Sequence, residues 1–244
     1  MPQANELAVD RAHLWVVRPE TVLQRRLVAR YERLLTPEEH ERRSRYRTES
    51  GRLDYLVTRV LVRTALSHYT GVAPEAWRFA ARPSGKPEVA EPRRDDTPRF
   101  SLSHTRGLVA CLVASDRDVG VDVENTTRSV SFLDIAERYF APREVTEILS
   151  LPGPDARRRF FEYWTLKESL IKAREERIAS GLSRYTFRRD DTGIRASIDA
   201  AVTDDWCCRL HDVGPDHLVA SSLMTETGEQ LHVDVRETVP LIDG

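Results

Sequence analysis

The chain has 244 residues, with 37 basic residues against 39 acidic ones and a formal net charge of −2. That length suits one large domain or two small ones, at roughly 150 residues each. The charge balance excludes a polycationic nucleic-acid binder and a bulk-acidic disordered chain. Three cysteines, Cys111, Cys207 and Cys208, form neither a disulfide framework nor a CxxC metal motif, because the number is odd and two are adjacent. They read as reduced thiols. The opening MPQANELAVDRAHLWVV lacks the basic start and cleavage site of a signal peptide. The longest apolar run, Leu108 to Ala114, is seven residues, far short of the ~20 that span a bilayer. A cytoplasmic protein is expected.

In chain order, residues 1–11 read as a loose lead-in, His13–Arg18 as a short strand and residues 20–35 as an Arg-rich amphipathic helix. Thr36-Pro37-Glu38-Glu39 is a helix start, with Thr at N-cap, Pro at N1 and Glu at N3. Leu53, Leu56, Val57, Val60, Leu61, Thr64, Ala65 and His68 then trace one apolar helical stripe ending before Gly71. Arg52, Arg59 and Arg63 lie together off that stripe. Trp77–Ala81 reads as a strand, Arg82–Glu88 as a turn and Glu91–Pro98 as a surface loop. Phe100–Ser103 and Leu108–Ser115 are strands joined through His104–Gly107, and Val119–Glu124 is a further strand.

The second half follows a similar order. Phe132, Ile135, Ala136, Tyr139 and Phe140 trace a helix face, Pro142 opens a short helix, and Asp155 caps a long helix through about Arg177. Tyr185–Arg188, Trp206–Leu210 and His217–Met224 read as strands. The pattern predicts an α+β fold of two similar α/β lobes around a shared cleft, with lobes at 1–117 and 118–244.

Several residues could carry chemistry. Asp122 and Glu124 share one face of a strand, and two adjacent carboxylates on an apolar strand are stable when a cation or several donors compensate them. A hard divalent ion suits such oxygens; an ordinary strand with a solvated polar face is the competing reading. Glu168 and Lys172 are i, i+4 neighbours in the favourable order, on a helix crowded with Phe160, Phe161, Trp164, Leu166, Leu170 and Ile171. Those neighbours suggest a largely buried helix whose charges face a cleft. Three carboxylates and a lysine suit a metal-bound diphosphate. Arg42, Arg43, Arg45 and Arg47 form either a solvated face or a patch for a multiply charged anion. The count of 34 arginines against three lysines, Lys86, Lys167 and Lys172, places each lysine in a segment of interest. No P-loop, HExxH or GxSxG is present, which argues against a P-loop NTPase, a zincin and a common serine hydrolase.

In this order, PEEHERRSRY, SGKPEV, FSLSHTRG, VGVDVE, YFAPREV and FFEYWTLKESLIKARE resemble the Sfp-type 4'-phosphopantetheinyl transferases. The motifs span residues 37 to 175. The resemblance implies a pseudo-dimeric monomer that transfers phosphopantetheine from coenzyme A to a serine of an apo carrier protein, releasing 3',5'-ADP. It implies Mg2+, with Mn2+ as an alternative, on Asp122, Glu124 and Glu168. Glu168 would also receive the serine proton, and Lys172 would hold a diphosphate oxygen. Lys86, Ser103 and His104 would contact the nucleotide of coenzyme A and its phosphates, Arg42 the 3'-phosphate, and Arg82 is a weaker addition. The implied partner is an apo acyl or peptidyl carrier protein of fatty-acid, polyketide or non-ribosomal peptide synthesis, with no nucleic acid or membrane. Glu144 matches an acidic family position for structural support. Ala141 departs from the pattern, standing where a Ser or Thr cap is common, and losing such a cap costs about 1 kcal/mol. A different Mg2+-dependent phosphoryl or nucleotidyl enzyme, and a non-catalytic nucleotide- or carrier-binding module, are the competing classes.

Overall fold

The computed structural model describes residues 6–176, 181–190, 193–226 and 229–242. Contacts divide the chain into two units, one reaching Asp116 and taking back the segment from Leu231, the other running from Arg117 to Gln230.

In the first unit, β1 (Arg11–Val17), β4 (Arg99–Thr105), β5 (Leu108–Ala114) and β12 (His232–Glu237) form a sheet in the order β12-β1-β5-β4. The 22-residue α4 (Glu49–Thr70) lies on it. Its apolar stripe is the expected one: Leu56, Val57, Val60, Leu61 and Ala65 are buried together with Val109, Cys111 and Val113 of β5. Thr48 caps α4 by accepting the Gly51 N–H at 3.1 Å. Gly71 ends it at φ 68°, a left-handed conformation that glycine adopts without a Cβ penalty.

Three expectations are corrected here. The helix expected over 20–35 is two short ones, α1 (Pro19–Gln24) and α2 (Val28–Glu32), because Arg26 takes φ 55° and lets Leu27 bury between them. The turn at 82–88 is the tip of a hairpin joining β2 (Arg78–Ala81) to β3 (Pro87–Glu91), with Arg82 N–H donating to the Lys86 carbonyl at 2.9 Å. The lobe expected to run to residue 244 stops at Gln230. Beyond it β12 pairs in parallel with β1, fastened by Arg11–Asp234 and Arg18–Glu237 ion pairs, each at 3.0 Å.

In the second unit β6 (Val119–Asn125), β10 (Trp206–Asp212) and β11 (His217–Met224) form an antiparallel sheet in the order β10-β11-β6. The 21-residue α7 (Gly153–Ala173) lies on it, with α5 (Phe132–Tyr139) and α6 (Pro142–Leu149) beside it. Phe160, Phe161, Leu166, Leu170 and Ile171 are buried, as the crowding of apolar residues predicts. The helix begins at Gly153 rather than with an Asp155 cap, and it ends at Ala173; Arg177 lies outside the described residues. A second small sheet of β7 (Tyr185–Asp190), β8 (Gly193–Ile198) and β9 (Ala201–Thr203) contains two strands that the sequence pattern does not signal. Each unit is thus a long helix on a largely antiparallel sheet. No described helix is long and apolar enough to cross a membrane, and all three cysteines are unpaired.

Candidate active site

The second unit gathers the predicted acidic residues where β6 meets α7. The helix can come this close because Gly120 presents no side chain: an added Cβ would stand 1.9 Å from the Ser169 carbonyl oxygen. Ser169 and Ser222 complete the contact through their hydroxyls, 2.8 Å apart. Asp122 and Glu124 share the Gly120 face of the strand, so both carboxylates are directed to the α7 side. Val119, Val121 and Val123 are buried on the other face.

Lys172, from the last turn of α7, joins the cluster. Its ammonium donates to Asp122 Oδ1 at 2.6 Å and stands 4.0 Å from Glu168 Oε2. The i, i+4 partner anticipated for Lys172 is therefore the more distant one. Glu124 is held separately, by Arg128 through Nε and Nη2 at 3.0 Å each. Burial, and then the neighbouring Asp122 charge, push the Glu124 carboxyl up to about 7 and that of Glu168 up to about 8. For Lys172 burial works against the charge, but Asp122 and Glu168 outweigh it and raise its proton affinity.

These donors are all hard oxygens in a place where negative charge is in excess, which is the chemistry a small divalent cation satisfies. Their spacing is another matter. Among the described residues no three His, Cys, Asp or Glu side chains are gathered closely enough to hold a metal ion. In this arrangement Lys172 and Arg128 supply the compensating charge.

Glu144 and Lys167 form a buried pair nearby, Nζ to Oε2 2.6 Å. Lys167 also donates to the carbonyls of Leu182, at 3.1 Å, and Tyr185. Glu144 accepts the N–H of Phe187 at 3.1 Å and that of Ala141 at 3.2 Å. The Ala141 contact is the glutamate half of a capping box; the half a Ser or Thr would supply is missing, and the Glu144 N–H donates to the Ala141 carbonyl at 2.9 Å instead.

The first unit holds a cleft of about 560 Å³ whose walls come from α3 (Pro37–Ser44), α4, the β2–β3 hairpin and β4. Of the predicted nucleotide contacts, Arg42 and His104 line it. Arg42 is exposed and makes no ion pair among the described residues. Lys86 lies between the lining residues Gly85 and Pro87. Arg82 is engaged by Glu88 at 2.8 Å. Ser103 is buried on the face of β4 opposite Leu102 and His104, which are the two β4 residues on the cleft wall.

Among the other wall residues, sequence reasoning assigned no role to Tyr46, Tyr55, Arg59, Arg78 and Phe79. It also set Arg59 and Arg63 off the apolar stripe without seeing that Arg63 is fully buried. Two arginines one turn apart inside an apolar helix were the available signal.

Residues 118–222 match the family model of the 4'-phosphopantetheinyl transferase superfamily, and residues 24–117 match that of the 4'-phosphopantetheinyl transferase N-terminal region. The chain is 32% identical to the 4'-phosphopantetheinyl transferase HetI of Nostoc sp. over 73% of this chain and 74% of that one. It is 33% identical to a phosphopantetheinyl transferase of Thraustochytrium sp., over 79% and 71%, and 27% identical to Sfp of Bacillus subtilis, over 78% and 83%. A solved holo-(acyl-carrier-protein) synthase from Bacillus anthracis, in complex with CoA (3',5'-ADP), overlaps 44% of this chain and 94% of its own, with 20% identity and a TM-score of 0.37. With relatives of this identity and coverage, the chain belongs to the 4'-phosphopantetheinyl transferase superfamily.

Proposed function

We propose that this transferase moves 4'-phosphopantetheine from coenzyme A to a serine of an apo acyl or peptidyl carrier protein and releases 3',5'-ADP. The observation that carries the site assignment is the meeting of Asp122, Glu168 and Lys172 at the β6–α7 contact. In the transfer, the serine oxygen forms a bond to the β-phosphorus of coenzyme A. The bond from that phosphorus to the bridging oxygen breaks, and both electrons leave with 3',5'-ADP. Glu168 receives the serine proton, directly or through a water. Lys172 holds a diphosphate oxygen as a compact point charge.

No three carboxylates are gathered round one point among the described residues, but Mg2+ is commonly held by one or two carboxylates together with substrate phosphates; Asp122 and Glu168, with Glu124 beside them, would supply those oxygens to Mg2+, or to Mn2+. When bound, the ion neutralises charge on the pyrophosphate and its leaving oxygen. In the first unit, Arg42 takes the 3'-phosphate, His104 and Lys86 the nucleotide and its other phosphates, and Arg82 lends charge at the edge. Ser103 is the weakest of these contacts, because its side chain belongs to the other face of β4. The protein is read as a cytoplasmic monomer without nucleic-acid or membrane partners.

The test is intact-mass spectrometry of an apo carrier protein incubated with this protein, coenzyme A and Mg2+. The expected result is the mass gain of one phosphopantetheine group, lost when metal is omitted and in Asp122→Ala. A carrier left unmodified across fatty-acid, polyketide and peptidyl types sinks the reading. A mass gain that survives Asp122→Ala sinks the site assignment.

A further inference from the structure

The charged wall of the first unit's cleft depends on a residue that does not line it. Arg63 sits in α4 with its side chain 0% exposed, one turn from Arg59. Two like charges at i, i+4 repel, and burial adds a desolvation cost. Glu39, the N3 residue of α3, lies between them. Its Oε1 accepts from Arg59 Nε at 2.6 Å and its Oε2 from Arg63 Nη2 at 2.7 Å.

The same Oε2 accepts the Thr36 N–H at 3.0 Å, while Thr36 Oγ1 accepts the Glu39 N–H at 3.3 Å, which closes a capping box. Arg63 also donates to the carbonyls of Arg59, at 3.0 Å, and Trp77, at 3.4 Å. The guanidinium carbons of Arg59 and Arg63 lie 4.6 and 5.1 Å from the centre of the Phe79 ring. One ionic hub thereby ties together the first turn of α3, the middle of α4 and the start of β2. Thr36, Glu39, Arg59 and Phe79 are all cleft-lining residues, and Arg42 stands one turn beyond Glu39.

A buried ionic hub is a poor source of stability, since apolar side chains of similar volume often do as well or better. What it specifies is geometry, through fixed forks and paired oxygens. We propose that Arg63, acting through Glu39, is a positioning residue for phosphate binding in this cleft: it sets Arg59 and Phe79 in the wall and seats the turn that carries Arg42. The proposal rests on the reading of the cleft as the site for the nucleotide end of coenzyme A.

The double variant Arg63→Met with Glu39→Gln isolates the role. It removes one positive and one negative charge, so the hub keeps the net charge that Arg59 gives it, and only the geometry is lost. The affinity of the full-length protein for adenosine 3',5'-bisphosphate is measured by calorimetry, alongside KM for coenzyme A and kcat for carrier modification. Both Kd and KM should rise about tenfold, equivalent to about 1.4 kcal/mol, with kcat at saturating coenzyme A within about twofold.

Glu39→Gln alone sharpens the sign and serves where the double variant does not fold. Removing a negative charge from an anion-binding wall should tighten binding by charge alone, whereas loss of positioning weakens it. Kd values in either variant equal to or tighter than wild type overturn the proposal, whatever the melting temperature does. Arg42→Ala separates the two readings. If it weakens binding while the hub variants do not, positioning fails alone. If it binds as tightly as wild type, or wild type binds no bisphosphate, the cleft assignment fails and this inference with it.

Discussion

Gly120→Ala should damage stability and catalysis together, and for one geometric reason. The added Cβ would lie 1.9 Å from the Ser169 carbonyl oxygen and 2.5 Å from the Ala173 nitrogen. Both are backbone atoms of α7, so no change of rotamer relieves the clash. The helix must retreat from β6 by about an ångström or more before close-packed separations return. Overpacking a filled core costs about 1–3 kcal/mol, and a forced backbone shift belongs at the upper end, near 3 kcal/mol. Against a typical total of about 5–15 kcal/mol the variant still folds. The retreat also pulls Lys172 from Asp122, now 2.6 Å apart, and a misplacement of about 1 Å can cost about 100-fold in rate. Urea denaturation should show the lower midpoint, and timed intact-mass spectrometry the slower transfer, while bisphosphate affinity changes little. A variant with the wild-type midpoint and rate would refute the claim that this contact positions the acidic cluster.

Two further perturbations probe buried charge. Lys167→Met strands the Glu144 carboxylate, which keeps only the Ala141 and Phe187 N–H donors, and should cost about 3–5 kcal/mol in urea denaturation; combining it with Glu144→Gln should recover part of the loss. His13 faces Tyr69 and His68 of α4, Asp234 and Arg236 of β12, and Arg11 of its own strand; burial, then Arg236, lowers its pKa to about 4. Its lowered pKa makes stability complete above about pH 6.5 and lost as pH falls toward 4, by at most about 1.4 kcal/mol per pH unit. His13→Gln should flatten that part of the urea-midpoint profile, and an unchanged slope would rule the histidine out as its source.

How much the chain discloses on its own depends on where each segment is solvated. The stripe from Leu53 to His68 and the crowding around Trp164 are legible because both helices bury a wide apolar face. The strands β8 and β9 are not, since Arg195 and an exposed Val202 interrupt the alternation that marks a half-buried strand. Nor is β12, an edge strand with Val235 exposed, whose pairing with β1 joins residues more than two hundred positions apart. No local pattern encodes that partner. The acidic residues were readable from i, i+2 and i, i+4 spacing, whereas the stronger tie of Lys172 to Asp122 crosses fifty residues. The arginine hub stayed hidden because an arginine off the stripe reads as solvated until its carboxylate partner, from another helix, is known.

The choice between the two basic side chains follows the same geometry. Lys167 presents three N–H donors and meets three acceptors: Glu144 Oε2 and the carbonyls of Leu182 and Tyr185. A guanidinium there would bring five donors into a space with three acceptors, leaving buried polar hydrogens unpaired. Arg63 has the opposite task, reaching Glu39 and two backbone carbonyls on different elements while its flat face covers Phe79, which a compact ammonium could not span. Even so its Nε is left without a partner, so the hub is not maximally satisfied. That residue of unmet hydrogen bonding is what separates a device for holding positions from one for gaining stability. In a chain with 34 arginines and three lysines, Lys167 stands where one compact charge must meet several acceptors from different directions.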